Sequence, residues 1–326
     1  MHRPCRILVK LLLASLLTAL AGHAAAQSAY PNKPIRLISP YAPGGSVTIT
    51  ARMIGHRLAE RLGQQIVVDN RPGGNTIIGT EALAKSAPDG YTLEAVTNTH
   101  VVNSNLFPTP YDALNDFVGV ATVCSAAQIL VVNPAFPATT VQEVIALLKA
   151  QPGKFNFASS GNGTTNHMAG EFFKLAAGVD MQHIPYKGGA PAITDLIGGQ
   201  VQLSFQAPAT AMNLIKSGRV RAIATASKAR ISALPDLPTF AESGLPEFQA
   251  EIWYGILAPA GTPTEIIHKL SSEIAKIVAM PEVKKEIANQ GMEPFVTNPE
   301  EFAALMKSDF AKYARVIKDA KIKIDK

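Results

Sequence analysis

The chain has 326 residues, of which 47% are hydrophobic and 17% charged, a composition that excludes a disordered or fibrous protein and predicts a sizeable core. Its formal net charge is +5. The first 26 residues hold three of the 30 basic residues and none of the 25 acidic ones, so the remaining chain has a charge of only +2. This balance argues against nucleic-acid binding, which needs a basic surface.

The N-terminus has the pattern of a cleavable secretory signal peptide. Arg3, Arg6 and Lys10 precede the apolar run Leu11–Ala21, and three alanines end at Ala26. A membrane-spanning helix needs about 20 apolar residues, so this run is too short for a permanent anchor. We therefore predict a signal peptide over residues 1–26, cleavage after it and export to the periplasm. The alternative is an uncleaved signal anchor.

The cysteines predict no internal disulfide. Cys5 lies in the predicted signal peptide, which leaves Cys124 as the one cysteine of the exported chain. We interpret Cys124 as a small buried side chain rather than a reactive thiol.

Apolar runs of strand length alternate with helical patterns along the rest of the chain. Val47, Ala51 and Ile54 begin one series of apolar residues at helical spacing, and Phe302 and Met306 begin another. This alternation predicts α/β layers with mostly parallel sheets. The predicted strands are Ile35–Ser39, Ile66–Asp69, Tyr91–Val96, Val118–Val123, Ile129–Val132, Phe155–Ser159, Val201–Phe205 and Val220–Ala226.

Two glycine-containing turns each join a predicted strand to a predicted helix. The first reads SPYAPGGS over residues 39–46, and the second reads SGNGTTN over residues 160–166. A helix N-terminus has unpaired N–H groups and the positive end of a dipole, and glycine lets a ligand approach the backbone. Such turns suit phosphate or carboxylate, although similar turns also occur as simple tight connections.

Nucleotide-binding and catalytic motifs are missing from both turns. GNGTTNHMAG does not fit G-x-G-x-x-G, and neither turn contains G-x-x-x-x-G-K-[ST] or G-x-S-x-G. His167 and Glu171 are four residues apart, but the sequence HExxH and a third metal ligand are missing. The sequence therefore favours a small carboxylate over a nucleotide, and we expect no enzymatic activity, no cofactor and no metal.

Five stretches between Tyr30 and the C-terminus resemble the substrate-binding receptors of tripartite tricarboxylate transporters, the Bug family. They are YPNKPIRLISPYAPGG, VVDNRPGGNTIIGTEALAKSAPDGYTL, YDALNDFVGVA, ASSGNGTTNHMAGEFFKLAAGVDMQHIPYKGGAPAITDLIGGQV and WYGILAPAGTP. The resemblance implies a two-lobed periplasmic binding protein (type II, Venus-flytrap) with α/β lobes and two hinge crossings. Lobe 1 would comprise residues 27–126 and 228–326, and lobe 2 residues 127–227, with crossings near Val118–Val132 and Val220–Ala226.

The resemblance also implies which residues bind the ligand. The matching positions of the first loop, of the loop 97–100 and of the second loop are Tyr41, Ala42, Gly44, Gly45, Ser46, Thr97, Ser159, Ser160, Gly161, Thr164 and Thr165. The family commonly has Asp where this chain has Thr48, and often where it has Gln206. These two neutral residues could donate hydrogen bonds to a ligand but could not pair an ammonium group. We therefore expect an amine-free dicarboxylate, aromatic or hydroxy carboxylate, bound in part by Thr48 and Gln206.

The resemblance implies a role in transport. A monomeric receptor would capture the acid and deliver it to integral membrane transporter subunits. A ligand-presenting receptor for a membrane sensor kinase remains an alternative, as does an exported hydrolase acting on a small ester or acid. The sequence also leaves open whether Thr76 and Ile77, bulkier than is usual at their positions, line the pocket.

Overall fold

The computed structural model describes residues 30–319 and 322, which form an α/β structure built on two β-sheets. The predicted signal peptide lies outside the described residues. Within the described part of the chain, no helix combines the length and the hydropathy needed to cross a bilayer.

All eight predicted strands are present in the described chain, with three more. The strands are β1 Ile35–Ser39, β2 Ile66–Asn70, β3 Thr92–Thr97, β4 Phe117–Ala127, β5 Ile129–Val132, β6 Asn156–Ser159, β7 Gln182–Pro185, β8 Leu203–Gln206, β9 Arg221–Thr225, β10 Glu251–Pro259 and β11 Glu293–Pro294.

Helices connect most of these strands. They are α1 Ser46–Leu62, α2 Ile77–Ala84, α3 Thr99–Leu106, α4 Val141–Ala150, α5 Thr165–Ala177, α6 Gly189–Ile197, α7 Pro208–Lys216, α8 Thr264–Ala279, α9 Pro281–Asn289 and α10 Pro299–Asp319, and a short 3₁₀-helix spans Gly74–Thr76.

The two sheets are mixed. The first has the order β11-β4-β10-β3-β1-β2 and the second the order β7-β6-β8-β5-β9. Among the described strands, four pairings are parallel and five antiparallel. The prediction of mixed sheets is confirmed, but that of mostly parallel pairing is wrong. The physical reason lies in β10, a strand we did not predict. It lies between β3 and β4 and pairs antiparallel with both.

Local sequence explains why α1 follows the first glycine turn. The helix begins after Gly45, whose backbone is extended, and ends at Gly63, whose φ of 66° is the left-handed conformation that favours glycine. Ala51, Ile54 and Leu58 are spaced along one face and are buried in the core of the first sheet. This packing fixes the N-terminus of α1 at the carboxyl end of β1.

Each sheet has its own hydrophobic core. The core of the second sheet contains an aromatic group in which Phe173, Phe205, Phe240 and Phe248 lie with ring centroids 4.6 to 6.1 Å apart. Complete burial of one such ring contributes about 1.5–3 kcal/mol to stability. These contacts hold the segment that follows β9 against the second sheet.

The chain passes between the sheets at two adjacent points. Ala226 donates its backbone N–H to the Gln128 carbonyl at 2.8 Å, and Gln128 donates its own to the Ala250 carbonyl at 2.9 Å. Ala250 in turn donates to the Ala226 carbonyl at 3.1 Å. Three backbone hydrogen bonds therefore tie the crossing before β5 to the crossing before β10.

The core contacts favour a later second crossing than the sequence suggested. We predicted that lobe 1 resumes at residue 228, yet Phe240 and Phe248 belong to the core of the second sheet. An apolar ring packs where it is best buried, and the sequence pattern after β9 does not show on which sheet that is. We propose that lobe 2 extends from about Gln128 to about Gln249, and that lobe 1 resumes at Ala250.

Candidate ligand site

A small cavity lies between the two sheets. It encloses about 20 Å³, roughly the space of one water molecule. Its walls come from the carboxyl ends of β1, β3, β6 and β8 and from β10, the positions at which ligands commonly bind in α/β proteins. The lining residues are Tyr41, Gly45, Ser46, Val47, Thr97, Ser160, Thr165, Asn166, Gly189, Gln206, Ala207, Thr210 and Ile252.

Four helices begin at this cavity. Residues from the first turns of α1, α5, α6 and α7 line it, so four positive dipole ends converge on one point. Among the described residues, no side chain caps the N-termini of α1, α6 or α7. The first backbone N–H groups of α1 and α6 therefore remain available to an anion, whereas α7 begins with Pro208, which has no N–H.

The polar groups of the cavity are neutral. Among the described residues, no Asp, Glu, Lys, Arg or His lines it. Thr165 accepts a hydrogen bond from Gln128 Nε2 at 3.2 Å, which leaves its own proton free to be donated. Backbone N–H groups and hydroxyls therefore provide the attraction for a negative charge here.

Seven of the predicted site residues line the cavity: Tyr41, Gly45, Ser46, Thr97, Ser160, Thr165 and Gln206. The structure places the other six outside its lining, namely Ala42, Gly44, Thr48, Ser159, Gly161 and Thr164. Tyr41 is buried, which raises the pKa of its hydroxyl above the ordinary value and keeps it protonated.

Thr48 lies behind the first loop and not on the cavity. Its hydroxyl is 2.9 Å from Ser39 Oγ and accepts a hydrogen bond from Asn70 Nδ2 at 2.8 Å. The Asn70 amide also donates to the Tyr41 carbonyl at 2.9 Å. Thr48 therefore shapes the loop from β1 to α1, and the expectation that it donates to the ligand is corrected, because helical spacing turns its side chain inward.

Ser159, Gly161 and Thr164 hold the second loop together. Thr164 Oγ1 donates to the Gly161 carbonyl at 2.7 Å and accepts from the His167 N–H as the N-cap of α5. Ser159 Oγ lies 2.6 Å from His183 Nε2 and accepts from the Gly161 N–H at 3.1 Å. These hydroxyls form their hydrogen bonds within and beneath the loop, so they shape the site without facing the cavity.

A stacked histidine pair lies beneath this loop. The rings of His167 and His183 are 3.9 Å apart between centroids, and His167 Nδ1 accepts a hydrogen bond from the Gly163 N–H at 3.1 Å. Burial lowers the pKa of His167 to about 4, and burial together with the neighbouring His167 lowers that of His183 to about 2. Both rings are therefore neutral at physiological pH.

The loop between β1 and α1 belongs to the part of the chain built on the first sheet, and it directly contacts the part built on the second sheet. The Ala42 N–H donates to the Lys187 carbonyl across the cleft at 3.2 Å. A Cβ atom added at Gly44 would lie 3.4 Å from the Cβ of Ala190, in ordinary contact. The Ala42 hydrogen bond therefore joins the two sides of the cleft beside the cavity, and Gly44 lies close to Ala190, an arrangement that we call the closed form.

A second cavity of about 240 Å³ adjoins the first and shares Tyr41 and Ser160 with it. Thr76 lines this second cavity, whereas Ile77 lines neither of the two. The remaining lining residues are Pro40, Gly73, Gly74, Asn75, Asn162, Pro185, Tyr186 and Lys187.

Sequence reasoning missed six lining residues: Val47, Asn166, Gly189, Ala207, Thr210 and Ile252. Two of the signals were visible. The pair Gly188 and Gly189 stands at the start of α6 much as Gly44 and Gly45 stand before α1, and Pro208 marks the first turn of α7. Ile252 could not be placed because β10 was not predicted.

Metal binding has no support in the described residues, where no group of three or more His, Cys, Asp or Glu side chains could hold an ion. Cys124 is free and buried, and burial raises the pKa of its thiol to about 12. The chemistry of the site is thus that of hydrogen-bond donors around a small enclosed space.

Residues 50–322 match the model of a protein family described as the tripartite tricarboxylate transporter family receptor. The chain belongs to this family. Membership confirms the resemblance read from the sequence motifs and assigns the chain to the transporter receptors, which are solute-binding proteins rather than enzymes.

Individual proteins agree with the family assignment. The chain is 38% identical to protein BugT of Bordetella pertussis over 94% of its length and 95% of the relative's. It superposes on the periplasmic binding protein BugD with a TM-score of 0.87 at 32% identity, covering 90% and 99% of the two chains. An R. palustris protein solved with adipate gives a TM-score of 0.88 at 31% identity, with coverage of 90% and 99%. These similarities confirm the predicted periplasmic binding protein fold.

Proposed function

We propose that this receptor captures a small amine-free organic acid, a dicarboxylate or an aromatic or hydroxy carboxylate, between its two lobes. It then delivers the acid to integral membrane subunits of a tripartite tricarboxylate-type transporter. The observation that carries the proposal is the convergence of four helix N-termini, three of them without a side-chain cap among the described residues, on one cavity.

The donors of the cavity support a carboxylate ligand. A hydrogen bond to a charged group contributes about 1.5–3 kcal/mol. Three or four such bonds from backbone N–H groups and from hydroxyls such as that of Thr165, together with burial of the ligand's carbon atoms, fit a micromolar affinity, about 8 kcal/mol. The ligand-binding residues we propose are the seven predicted residues on the cavity wall and the six that the sequence missed.

The neutral lining favours a ligand without an amine. An amino acid's ammonium group would be buried without a carboxylate beside it, since no acidic side chain of the described chain lines the cavity. The related R. palustris protein was solved with adipate, an amine-free dicarboxylate. Both observations support the same class of acid for this receptor.

The proposal includes a location and an assembly. We infer that the N-terminal 26 residues direct export to the periplasm and are removed, and that the mature receptor is a monomer. The mass of protein recovered from the periplasm tests the first point, because cleavage gives a chain that begins at Gln27. A mass that still includes Leu11–Ala21 would contradict it.

The contacts between the two lobes imply that the receptor has an open state and a closed state. The hydrogen bond from the Ala42 N–H to the Lys187 carbonyl closes the cleft beside the cavity, so the lobes would open about the crossings at Gln128 and Ala250 to admit an acid. Ligand binding would then favour the closed form. A lower radius of gyration with ligand than without is the expected result in solution scattering.

The test of the function is a binding screen on protein purified from the periplasm. Thermal shift and calorimetry would compare succinate, glutarate, adipate, malate and benzoate with aspartate and glutamate. Ser46→Ala should weaken binding of the acid that is found, whereas Ser272→Ala, an exposed position on α8, is the matched control. Binding of amino acids in preference to amine-free acids would contradict the proposal.

Two alternative roles are separable by experiment. Mass spectrometry of the ligand after incubation detects turnover, and turnover without added partners would favour an exported hydrolase. Capture of the liganded receptor by transporter subunits rather than by a sensor kinase supports transport. Both measurements use the same acid, so they follow directly from the screen.

A further inference from the structure

Gln206 presents an unpartnered acceptor at the cavity. The side chain is 1% exposed, lies at the carboxyl end of β8 and lines the cavity. Its Oε1 atom is buried, and no hydrogen-bond donor of the described chain reaches it. Buried amide oxygens in proteins are nearly always paired, so an unpaired one in a cavity wall indicates a partner that comes from outside the chain.

The orientation of this amide is fixed by its neighbours. Ser204 Oγ donates its one proton to the Ala158 carbonyl at 2.8 Å. Ser204 Oγ can therefore only accept from Gln206, and it does so from Nε2 at 2.8 Å. A flipped amide would set its oxygen against an oxygen that has no proton left to donate. The Nε2 group is thus held inside the sheet, and Oε1 is the atom turned away from it.

The position of Oε1 is at the start of α6. A Cβ atom added at Gly189, another lining residue, would lie 3.1 Å from Gln206 Oε1 and 3.6 Å from Thr210 Oγ1. Glycine at this position therefore leaves space in front of the acceptor. The uncapped N-terminus of the same helix supplies N–H donors beside it.

We propose that the ligand of this receptor carries a hydroxyl group that donates a hydrogen bond to Gln206 Oε1, so that the site selects hydroxy acids over their deoxy analogues. This inference rests on the proposed function and narrows its substrate class. It also reverses the expectation that Gln206 donates a hydrogen bond to the ligand, because the amide already donates to Ser204 Oγ.

Other ligand groups fit this acceptor poorly. A carboxylate oxygen is itself an acceptor, so it repels Oε1 with no proton between them. An ammonium group could donate, but it would be buried without a carboxylate from the described cavity wall. A hydroxyl donates without adding charge, and its carboxylate neighbour can occupy the helix N-termini at the same time.

The test compares matched pairs of acids on the intact mature protein. Calorimetry would measure malate against succinate, 2-hydroxyglutarate against glutarate, lactate against propionate and mandelate against phenylacetate, with both enantiomers of each hydroxy acid. We expect at least one pair in which the hydroxy acid binds about 10-fold or more tightly than its deoxy partner, since a site built to pair a hydroxyl rejects the analogue that lacks it.

Variants assign the preference to Gln206. Gln206→Leu has nearly the same volume and no acceptor, so the ratio of the two affinities should fall to about one. Ser204→Ala removes the anchor of the amide without touching the cavity and should reduce the ratio as well. Ser272→Ala is the control that should keep it. The wild-type comparison alone decides the inference if either variant fails to fold.

The outcomes separate this inference from the proposed function. Equal binding of both members of every pair, or a preference for the deoxy acids, would overturn the hydroxyl inference and leave the organic-acid receptor intact. A hydroxy-acid preference that persists in Gln206→Leu would also overturn it. Binding of none of these acids would overturn the proposed function, and the inference with it.

Discussion

The backbone N–H of Asn162 donates a hydrogen bond to the side-chain oxygen of Asn75 at 3.1 Å, joining the second binding loop to a loop that follows β2. Asn75 and Thr76 are the two non-glycine residues of the described chain with positive φ, at 53° and 79°. The Asn103 amide supports this strained turn by donating to the Asn75 carbonyl and to Thr76 Oγ1. Strain kept at such a position points to a role in closing the cleft.

Replacement of Asn75 by Gly should weaken ligand binding without disturbing the fold. Glycine accepts the left-handed φ, so the turn is kept, but the acceptor for the Asn162 N–H is lost. A hydrogen bond of this kind contributes about 0.5–1.5 kcal/mol, so we expect an affinity about 2-fold to 10-fold lower by calorimetry. Asn75→Asp retains an oxygen acceptor and serves as the matched control. Equal loss in both variants would show that the contact does not stabilise the closed form.

Glu94 should give the unliganded protein a contribution to stability that falls as pH rises from about 4.5 to 8. Burial raises the pKa of this carboxyl from 4.5 to about 8, and Thr80 Oγ1 donates to it at 2.8 Å. In this window the folded chain keeps a proton that the unfolded chain has lost. The free energy of unfolding therefore decreases as pH rises, by at most about 1.4 kcal/mol per pH unit. Urea unfolding at several pH values measures this slope.

Buried histidines lower the free energy of unfolding on the acid side of the pH dependence. Burial lowers the pKa of His100 and of His167 to about 4, so the unfolded chain binds more protons than the folded chain below pH 6.5. The stability that these histidines contribute is therefore lost as pH falls from 6.5 toward 4, and between pH 6.5 and 4.5 this effect opposes that of Glu94. Glu94→Gln should flatten the loss above pH 6.5 and steepen the loss between pH 6.5 and 4.5, because the opposing contribution of Glu94 is removed. An unaltered alkaline slope in that variant would contradict the assignment to Glu94.

Ser46→Ala and Thr164→Ala should separate binding from stability. Ser46 lines the cavity, so its replacement should reduce affinity while the unfolding midpoint stays within about 1 °C of wild type. Thr164 caps α5 instead, and loss of an N-cap costs about 1 kcal/mol of stability. The thermal midpoint should therefore fall by about 2–4 °C in Thr164→Ala. The reverse pattern in the two variants would contradict these assignments.

The sequence predicted eight of the strands and both glycine-containing turns because their signals are local. The bounds of β1 and β5 agree at both ends with the apolar runs that indicated them, and SPYAPGGS does lead into a helix N-terminus at the cavity. The conformation of a glycine turn between an apolar strand and an amphipathic helix is fixed by the residues of the turn and its two neighbours. Such elements need no knowledge of the rest of the chain.

What the sequence could not show depends on contacts between distant segments. The β10 strand, Glu251–Pro259, lies between β3 and β4, and nothing in its own residues shows that position. Phe240 joins the second sheet only because Phe173 and Phe205 are there to pack against. The proposed acceptor role of Gln206 depends on the hydrogen bond that Ser204 Oγ donates to the Ala158 carbonyl. That bond forms only because β8 pairs with β6.

Replacement of Gly189 by Ala should block the ligand from the cavity. The residue begins α6 with a backbone that alanine can adopt, so the fold should remain. The added methyl group would lie 3.1 Å from Gln206 Oε1 and 3.5 Å from Thr210 Cγ2, inside a cavity of about 20 Å³. The ligand would have to give up this space, and we expect affinity to fall by about 10-fold or more, a loss of about 1.4 kcal/mol or more.

Gly198 at the other end of α6 provides the matched control for this substitution. Its φ of −73° suits alanine, and the nearest atoms to an added Cβ lie 3.6 and 3.7 Å away in ordinary contact. Gly198→Ala should therefore keep the affinity of the wild type and raise stability by about 0.4–1 kcal/mol, because alanine restricts the unfolded chain. Calorimetry and urea unfolding of both variants complete the comparison. Full affinity in Gly189→Ala, with the fold intact, would place the ligand outside this cavity.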